Sequence, residues 1–164
     1  GCIQSIEVLR LFKKLNINPR HTIRAVMFME EEVGQSGGQA YAQQAHKNKE
    51  QHVVALESDR GVLIPKAIGI STQQTSFKKY AALQTYFDPY DIKIVRTEGR
   101  GGVDIGPLKD KYPQIILMTL IPDSQRYFDY HHSANDTFEQ VNKREMQIGS
   151  AAIASIIYFF DQGM

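Results

Sequence analysis

Two spacings of apolar residues divide this chain into alternating helices and strands. Ile3, Ile6, Leu9, Phe12 and Leu15 recur every three residues, joined by Val8 and Leu11. That spacing predicts an amphipathic helix over roughly residues 2–15, ended by Asn16 and the Asn18-Pro19 pair. Thr22 to Met29 is a run of β-branched and apolar residues, the signature of a buried strand. It ends in three adjacent carboxylates, Glu30, Glu31 and Glu32, followed by a glycine-punctuated turn and a small-residue helix from about Gly37 to His46. His52 to Leu56 reads as a second strand and runs into Glu57-Ser58-Asp59-Arg60-Gly61.

Val62 to Ile70 contains Pro65, which predicts an extended segment at a sheet edge. A helix is expected over 73–87, stopped by Asp88-Pro89, then a short strand at Ile92–Val95. Residues 98–104 form a glycine-rich loop, and a helical turn is expected within Pro107–Tyr112. Ile115 to Leu120 is a further buried strand feeding a long loop over 121–136, after which a helix capped by Asp or Thr runs over about 138–161. It would turn Met146, Ile153, Ile157 and Phe160 inward. Such alternation predicts an α/β fold with a largely parallel sheet.

The remaining composition narrows the function classes. A chain of 164 residues suits one domain, 1–164, with helices on both faces of a sheet. Net charge is +1 with scattered Lys and Arg, which argues against a nucleic-acid surface. The longest apolar stretch, Ile148 to Phe160, is roughly 13 residues and too short to cross a membrane. Cys2 has no internal partner, so no disulfide forms within the chain. The chain enters a helix pattern almost at once, which reads as a cut inside a larger protein.

Acidic and imidazole groups gather at strand ends: Glu31 and Glu32, Asp59, and the pair His131-His132. Ligands collect just beyond the carboxyl ends of strands in open α/β sheets. Three adjacent acids there repel one another unless a cation arrives, and carboxylate with imidazole is a donor set that zinc takes. One glutamate can then bind metal while its neighbour takes a proton from water. Asp136 precedes the closing helix and could cap it, steady an imidazole, or both.

Three segments carry a resemblance to a known family. Glu31-Glu32-Val33-Gly34 followed by Gly37 resembles the EE-x-G-x-x-G signature of the co-catalytic zinc exopeptidases, the family of bacterial leucyl aminopeptidases and carboxypeptidase Q. Glu57-Ser58-Asp59-Arg60-Gly61 is similar to the ESD-x-G segment of the carboxypeptidase Q branch, and His132 to Thr137 resembles H-x-x-x-D-T. The resemblance implies a three-layer α/β/α sandwich with a mostly parallel mixed sheet, lacking its N-terminal strands. It implies Glu31 as general base, Glu32 and His132 as ligands of one zinc, and Asp59 as a ligand of a second. Asp104 falls near the family's substrate pocket, without the serine that usually precedes it, and His131 would neighbour the ligand His132.

Two further ligands, a histidine and a bridging aspartate, lie upstream in the family and have no counterpart here. The chain is therefore expected to be the C-terminal part of a catalytic domain, binding zinc weakly and inactive or nearly so by itself. The implied substrate is a small peptide cleaved at a free terminus. An extracytoplasmic location is implied too, and sheet edges left open by the missing strands could support self-association.

Two rival readings follow from the same residues. One is a non-catalytic interaction module that keeps the fold. The other is a serine hydrolase: Gly34-Gln35-Ser36-Gly37-Gly38 satisfies G-x-S-x-G, with Asp104 and His132 following in order. Carboxylates beside Ser36 oppose an alkoxide, and the serine does not sit directly at the strand end.

Overall fold

The computed structural model describes residues 1–163. Its helices are α1 (Cys2–Lys14), α2 (Ser36–Lys47), α3 (Gln74–Ala81), α4 (Gln84–Phe87), α5 (Leu108–Lys111), α6 (Ser124–Tyr130) and α7 (Lys143–Asp161). The strands are β1 (Val54–Glu57), β2 (Pro65–Ser71), β3 (Lys93–Thr97) and β4 (Ile116–Pro122), in the spatial order β1-β4-β2-β3. β1 runs parallel to β4, and β2 runs parallel to β3, while β2 and β4 are antiparallel. The sheet is mixed, with helices against both faces.

One face carries the larger core. Ile68 and Ile70 of β2 and Met118 and Leu120 of β4 are fully or almost fully buried against Val8 and Phe12 of α1 and Ile153 and Ile156 of α7. Burying each such side chain contributes about 1.5–3 kcal/mol relative to exposure. The opposite face is thinner, with Leu117 of β4 and Ala55 of β1 meeting Ala42 of α2 and Leu108 of α5.

Four expectations are corrected. Residues 22–29 form no strand, because they share no backbone hydrogen bond with any neighbour among the described residues. The Pro65 segment is central rather than an edge: Pro65 is the first residue of β2, where the ladder shifts register between Pro65 and Ala67, so its missing N–H breaks no regular pair. The expected loop 121–136 holds α6, capped by the Asp123 carboxylate accepting from the Gln125 amide. Finally, the closing helix starts later than Asp136 or Thr137: Asn142 caps α7, its Oδ1 accepting from the amides of Arg144 at 2.9 Å and Glu145 at 3.1 Å. Residues 138–140 form a separate 3₁₀ turn.

Candidate functional site

The acidic residues lie beyond the carboxyl end of β1 and beyond residues 22–29, on one rim of the sheet. Glu31 and Glu32 occupy a tight turn closed by the amides of Gly34 and Gln35 donating to the Glu30 carbonyl at 3.1 and 2.7 Å. Glu30 and Gln35 both adopt left-handed backbone, with φ of 63° and 55°. Such conformations cost of order 1 kcal/mol in a residue with a Cβ, so the turn is held by what surrounds it. Gly37 is one such constraint, since a Cβ there would lie 2.4 Å from the Met29 carbonyl oxygen. Ser36 donates its hydroxyl to the Glu30 carboxylate, the partner least suited to forming an alkoxide.

Asp59 follows β1 directly. The start of α1 is bolted to the same strand end: Ser58 Oγ donates to Oε1 of the fully buried Gln4 at 2.6 Å, and Gly1 packs on the Ser58 carbonyl. Glu57, 8% exposed, turns its carboxylate the other way. It accepts from the backbone amides of Val103, Asp104 and Ile105, each at 3.0 Å. A nest of three amides is a strong anion holder, and here it pins the glycine-rich loop across the end of β1. The approach is close enough that a Cβ at Gly102 would sit 2.0 Å from Glu57 Oε1. Burial pushes the Glu57 carboxyl above its ordinary range, with the amides of Ile105 and Val103 working against that.

Asp104, held by this loop, is the most perturbed acid of the site. Burial raises its carboxyl to about 6, and the negative charges of Glu57, Glu31 and Asp59 push the same way. Its Oδ1 is buried and has no hydrogen-bond partner. An orphan carboxylate oxygen amid three other acids has the chemistry of a cation seat.

The histidines come from the loop after α6. His132, left-handed at φ 54°, brings Nε2 within 3.2 Å of Glu32 Oε2, joining two loops a hundred residues apart. His131 stacks on Tyr127 with ring centroids 4.6 Å apart, and its Nδ1 is 2.8 Å from the Tyr127 hydroxyl. Burial raises the Tyr127 hydroxyl, with the charges of Asp59, Glu32 and Glu31 adding to the shift and Arg60 opposing it. Asp136 makes no hydrogen bond to either imidazole among the described residues, and Phe128 is 74% exposed.

The rim thus brings together Glu31, Glu32, Asp59, Asp104, His131 and His132, while Asp136 hydrogen-bonds to neither imidazole among the described residues. Donor types suit zinc, but among the described residues no three of them converge closely enough to hold an ion. The role of Glu57 is not visible in the sequence, where it reads only as the first letter of a motif. The Asn142 cap did leave a signal: an Asn followed three residues later by Glu145, just ahead of an apolar helix.

The profile of peptidase family M28 matches residues 1–157. Carboxypeptidase Q from Bos taurus is 28% identical over 159 residues, taking in 96% of this chain and 33% of its own. The Homo sapiens carboxypeptidase Q matches to the same extent. Among solved structures, the M28 peptidase precursor from Shewanella amazonensis SB2B superposes with a TM-score of 0.88 at 26% identity, over 98% of this chain and 36% of its own. The Legionella protein LapA shares the fold, with a TM-score of 0.60 at 16% identity over 95% of this chain and 45% of its own. The chain spans about a third of the length of the curated relatives it matches.

Proposed function

Because the chain belongs to peptidase family M28, a family of zinc exopeptidases, we propose that residues 1–164 form a single domain carrying one wall of an exopeptidase active site for small peptides. Glu32 and His132 would hold one zinc ion and Asp59 a second. Zinc held there would supply Lewis acidity for peptide hydrolysis. Glu31 would act as the base that takes a proton from water and passes it to the departing amine, a role suited to a carboxylate adjacent to a ligand. Asp104, facing Glu31 and Asp59, adds negative charge at the same rim and suits a substrate's free ammonium or a cation.

The observation that carries this reading is the 3.2 Å approach of His132 to Glu32. Glu32 and His132 give one ion two protein ligands and Asp59 gives the other a single ligand. Zinc binding by these residues alone is therefore weak and turnover negligible. The test measures zinc content and peptide hydrolysis for residues 1–164 and for a longer form with additional sequence ahead of Gly1. Metal and turnover should both rise in the longer form, and Glu31→Gln there should keep the metal while abolishing turnover. Full activity of the Gln variant would remove Glu31 as the base. A longer form that binds no zinc and cleaves nothing would favour the interaction-module reading.

A further inference from the structure

The acidic turn stands between two legs, residues 22–29 before it and α2 after it. Two fastenings hold the legs together. Close to the turn, Gly37 sits against the backbone of Met29, where a Cβ would lie 2.4 Å from the carbonyl oxygen and 2.8 Å from the nitrogen. Further down, Arg24 Nη1 donates to the Tyr41 hydroxyl oxygen at 3.0 Å, and the Phe28 and Tyr41 rings meet edge to face at 5.6 Å. The first fastening is steric and has nothing to titrate. The second ends on a histidine, because the Tyr41 hydroxyl also lies 2.9 Å from His52 Nε2.

The direction of these bonds fixes the state of the imidazole. Arginine can only donate, so the Tyr41 oxygen accepts from Arg24. Its own proton then goes to Nε2, the one acceptor it reaches among the described residues. His52 is therefore neutral, with its hydrogen on Nδ1. That nitrogen is buried without a partner, and the ring is packed between Tyr41, edge-on at 5.6 Å, and Tyr112, with centroids 5.0 Å apart. The titratable groups facing it are Arg24 from the first leg, Tyr41 from α2, Glu50 from the loop after α2, Tyr112 following α5 and, beyond Tyr112, His46 of α2. Glu50 is already engaged, accepting from Arg24 at 2.9 Å and from Asn48 at 3.2 Å. Burial pushes the His52 imidazole below its ordinary range; the charge of Glu50 opposes that shift and Arg24 adds to it.

We propose that His52 is an acid-sensitive latch on the acidic turn: neutral, it holds Tyr41 and through it Arg24; protonated at Nε2, it lets that fastening go. The added proton reverses the sense of the bond. Nε2 becomes a donor, so two cations aim at one tyrosine oxygen and the tyrosine proton loses its acceptor. Arg24 is the member that leaves. Its side chain is 46% exposed, so water can take its donors, whereas the imidazole is packed between two rings. The first leg is then held only near its ends, by the Arg20 and His21 amides on Asp161 and by Met29 on Gly37. The stretch between them passes its motion to Glu30–Glu32. Because the fold takes up this proton less readily than the unfolded chain, the latch is closed at neutral pH and opens as pH falls through the lowered His52 value. His52 lies at the end of β1 opposite the rim, and the inference does not depend on the peptidase chemistry.

NMR on the isotope-labelled chain, titrated from about pH 7.5 to about pH 4.5, tests the latch. The His52 nitrogen shifts should show hydrogen on Nδ1 at neutral pH and a titration below the ordinary value of about 6.5. The turn is read through the Gly34 and Gln35 amides, which donate to the Glu30 carbonyl. In the step that protonates His52, their exchange, corrected for its intrinsic pH dependence, should speed up about three- to tenfold, while Ile68 and Ile70 of β2 hold steady. The readout is local because Asp104 protonates in an overlapping range with the opposite effect on overall stability. His52→Gln offers Tyr41 an acceptor that takes no proton, and should keep both amides protected into acid. Uniformly fast exchange in that variant, with the pH response gone, supports the latch equally, since only the imidazole then closes it. Tyr41→Phe keeps the ring and removes both bonds; it should give the fast exchange at every pH and bring the His52 titration up toward about 6.5. The proposal fails if His52 carries its hydrogen on Nε2 at neutral pH, if His52→Gln retains the pH response, or if Tyr41→Phe leaves the His52 titration and the two amides unchanged.

Discussion

The two halves of the candidate site are built in opposite ways. On the β1 side, Glu57 is buried and holds three amides of the glycine-rich loop, so Asp104 is set by backbone geometry. On the histidine side, residues 131–140 are all exposed, and His132 is tied to the rest of the rim by a contact with Glu32 in which both side chains are mostly solvent-facing. One wall is finished by folding. The other is an arm whose contact is the kind that water and salt weaken.

The largest effect should come from breaking the finished wall. Glu57→Ala strands three amides and opens a void at the end of β1, and should destabilise the chain by about 3 kcal/mol in urea unfolding. Gly102→Ala should act in the same direction, since the new methyl would occupy the space of the Glu57 carboxylate. Loss of the α7 cap in Asn142→Ala comes next, at about 1 kcal/mol. His132→Ala should change stability by less than about 0.5 kcal/mol while lowering zinc affinity in the longer form. If His132→Ala proved as destabilising as Glu57→Ala, the contrast between wall and arm would be wrong.

A pH series sharpens the same contrast. Asp104 rises from an ordinary 3.8 to about 6 in the fold, so the folded state holds its proton more tightly than the unfolded chain does. Stability of the metal-free protein should therefore fall as pH rises from about 4 to about 6 and level off above that. Asp104→Asn should flatten the slope, leaving the smaller part due to Glu57, which shifts in the same direction. An unchanged slope in urea titrations from pH 4 to 7 would show that Asp104 is not in the environment described.

Periodicity found the helices and most of the strands but not always the buried face: Ile3, Ile6, Leu9 and Leu15 of the three-residue stripe in α1 are exposed. Val8 and Phe12 of α1 and Ile153 and Ile156 of α7 recur on the spacing that faces the sheet. It failed at 22–29, where the sequence has every mark of a buried strand and the ladder is missing. Apolar pattern reports the environment a segment is fit for, and a backbone pair needs a neighbour that no single stretch can specify. The site residues were legible as letters, from Glu31 to His132, but not as distances. That Glu32 meets His132 depends on loop conformations set by left-handed residues, Glu30 and His132 among them, which have no periodicity to read. Glu57 was hidden for a related reason: its partners are main-chain amides, which leave no trace in side-chain identity.

The Asp161 carboxylate receives the amides of Arg20 and His21 from 140 residues earlier in the chain. The end of the last helix therefore acts as a mooring for the segment that leads to Glu31. Asp161→Ala would therefore loosen the acidic turn without touching any residue in it, and a substitution at the far end of α7 is an experiment on the rim as much as on the helix.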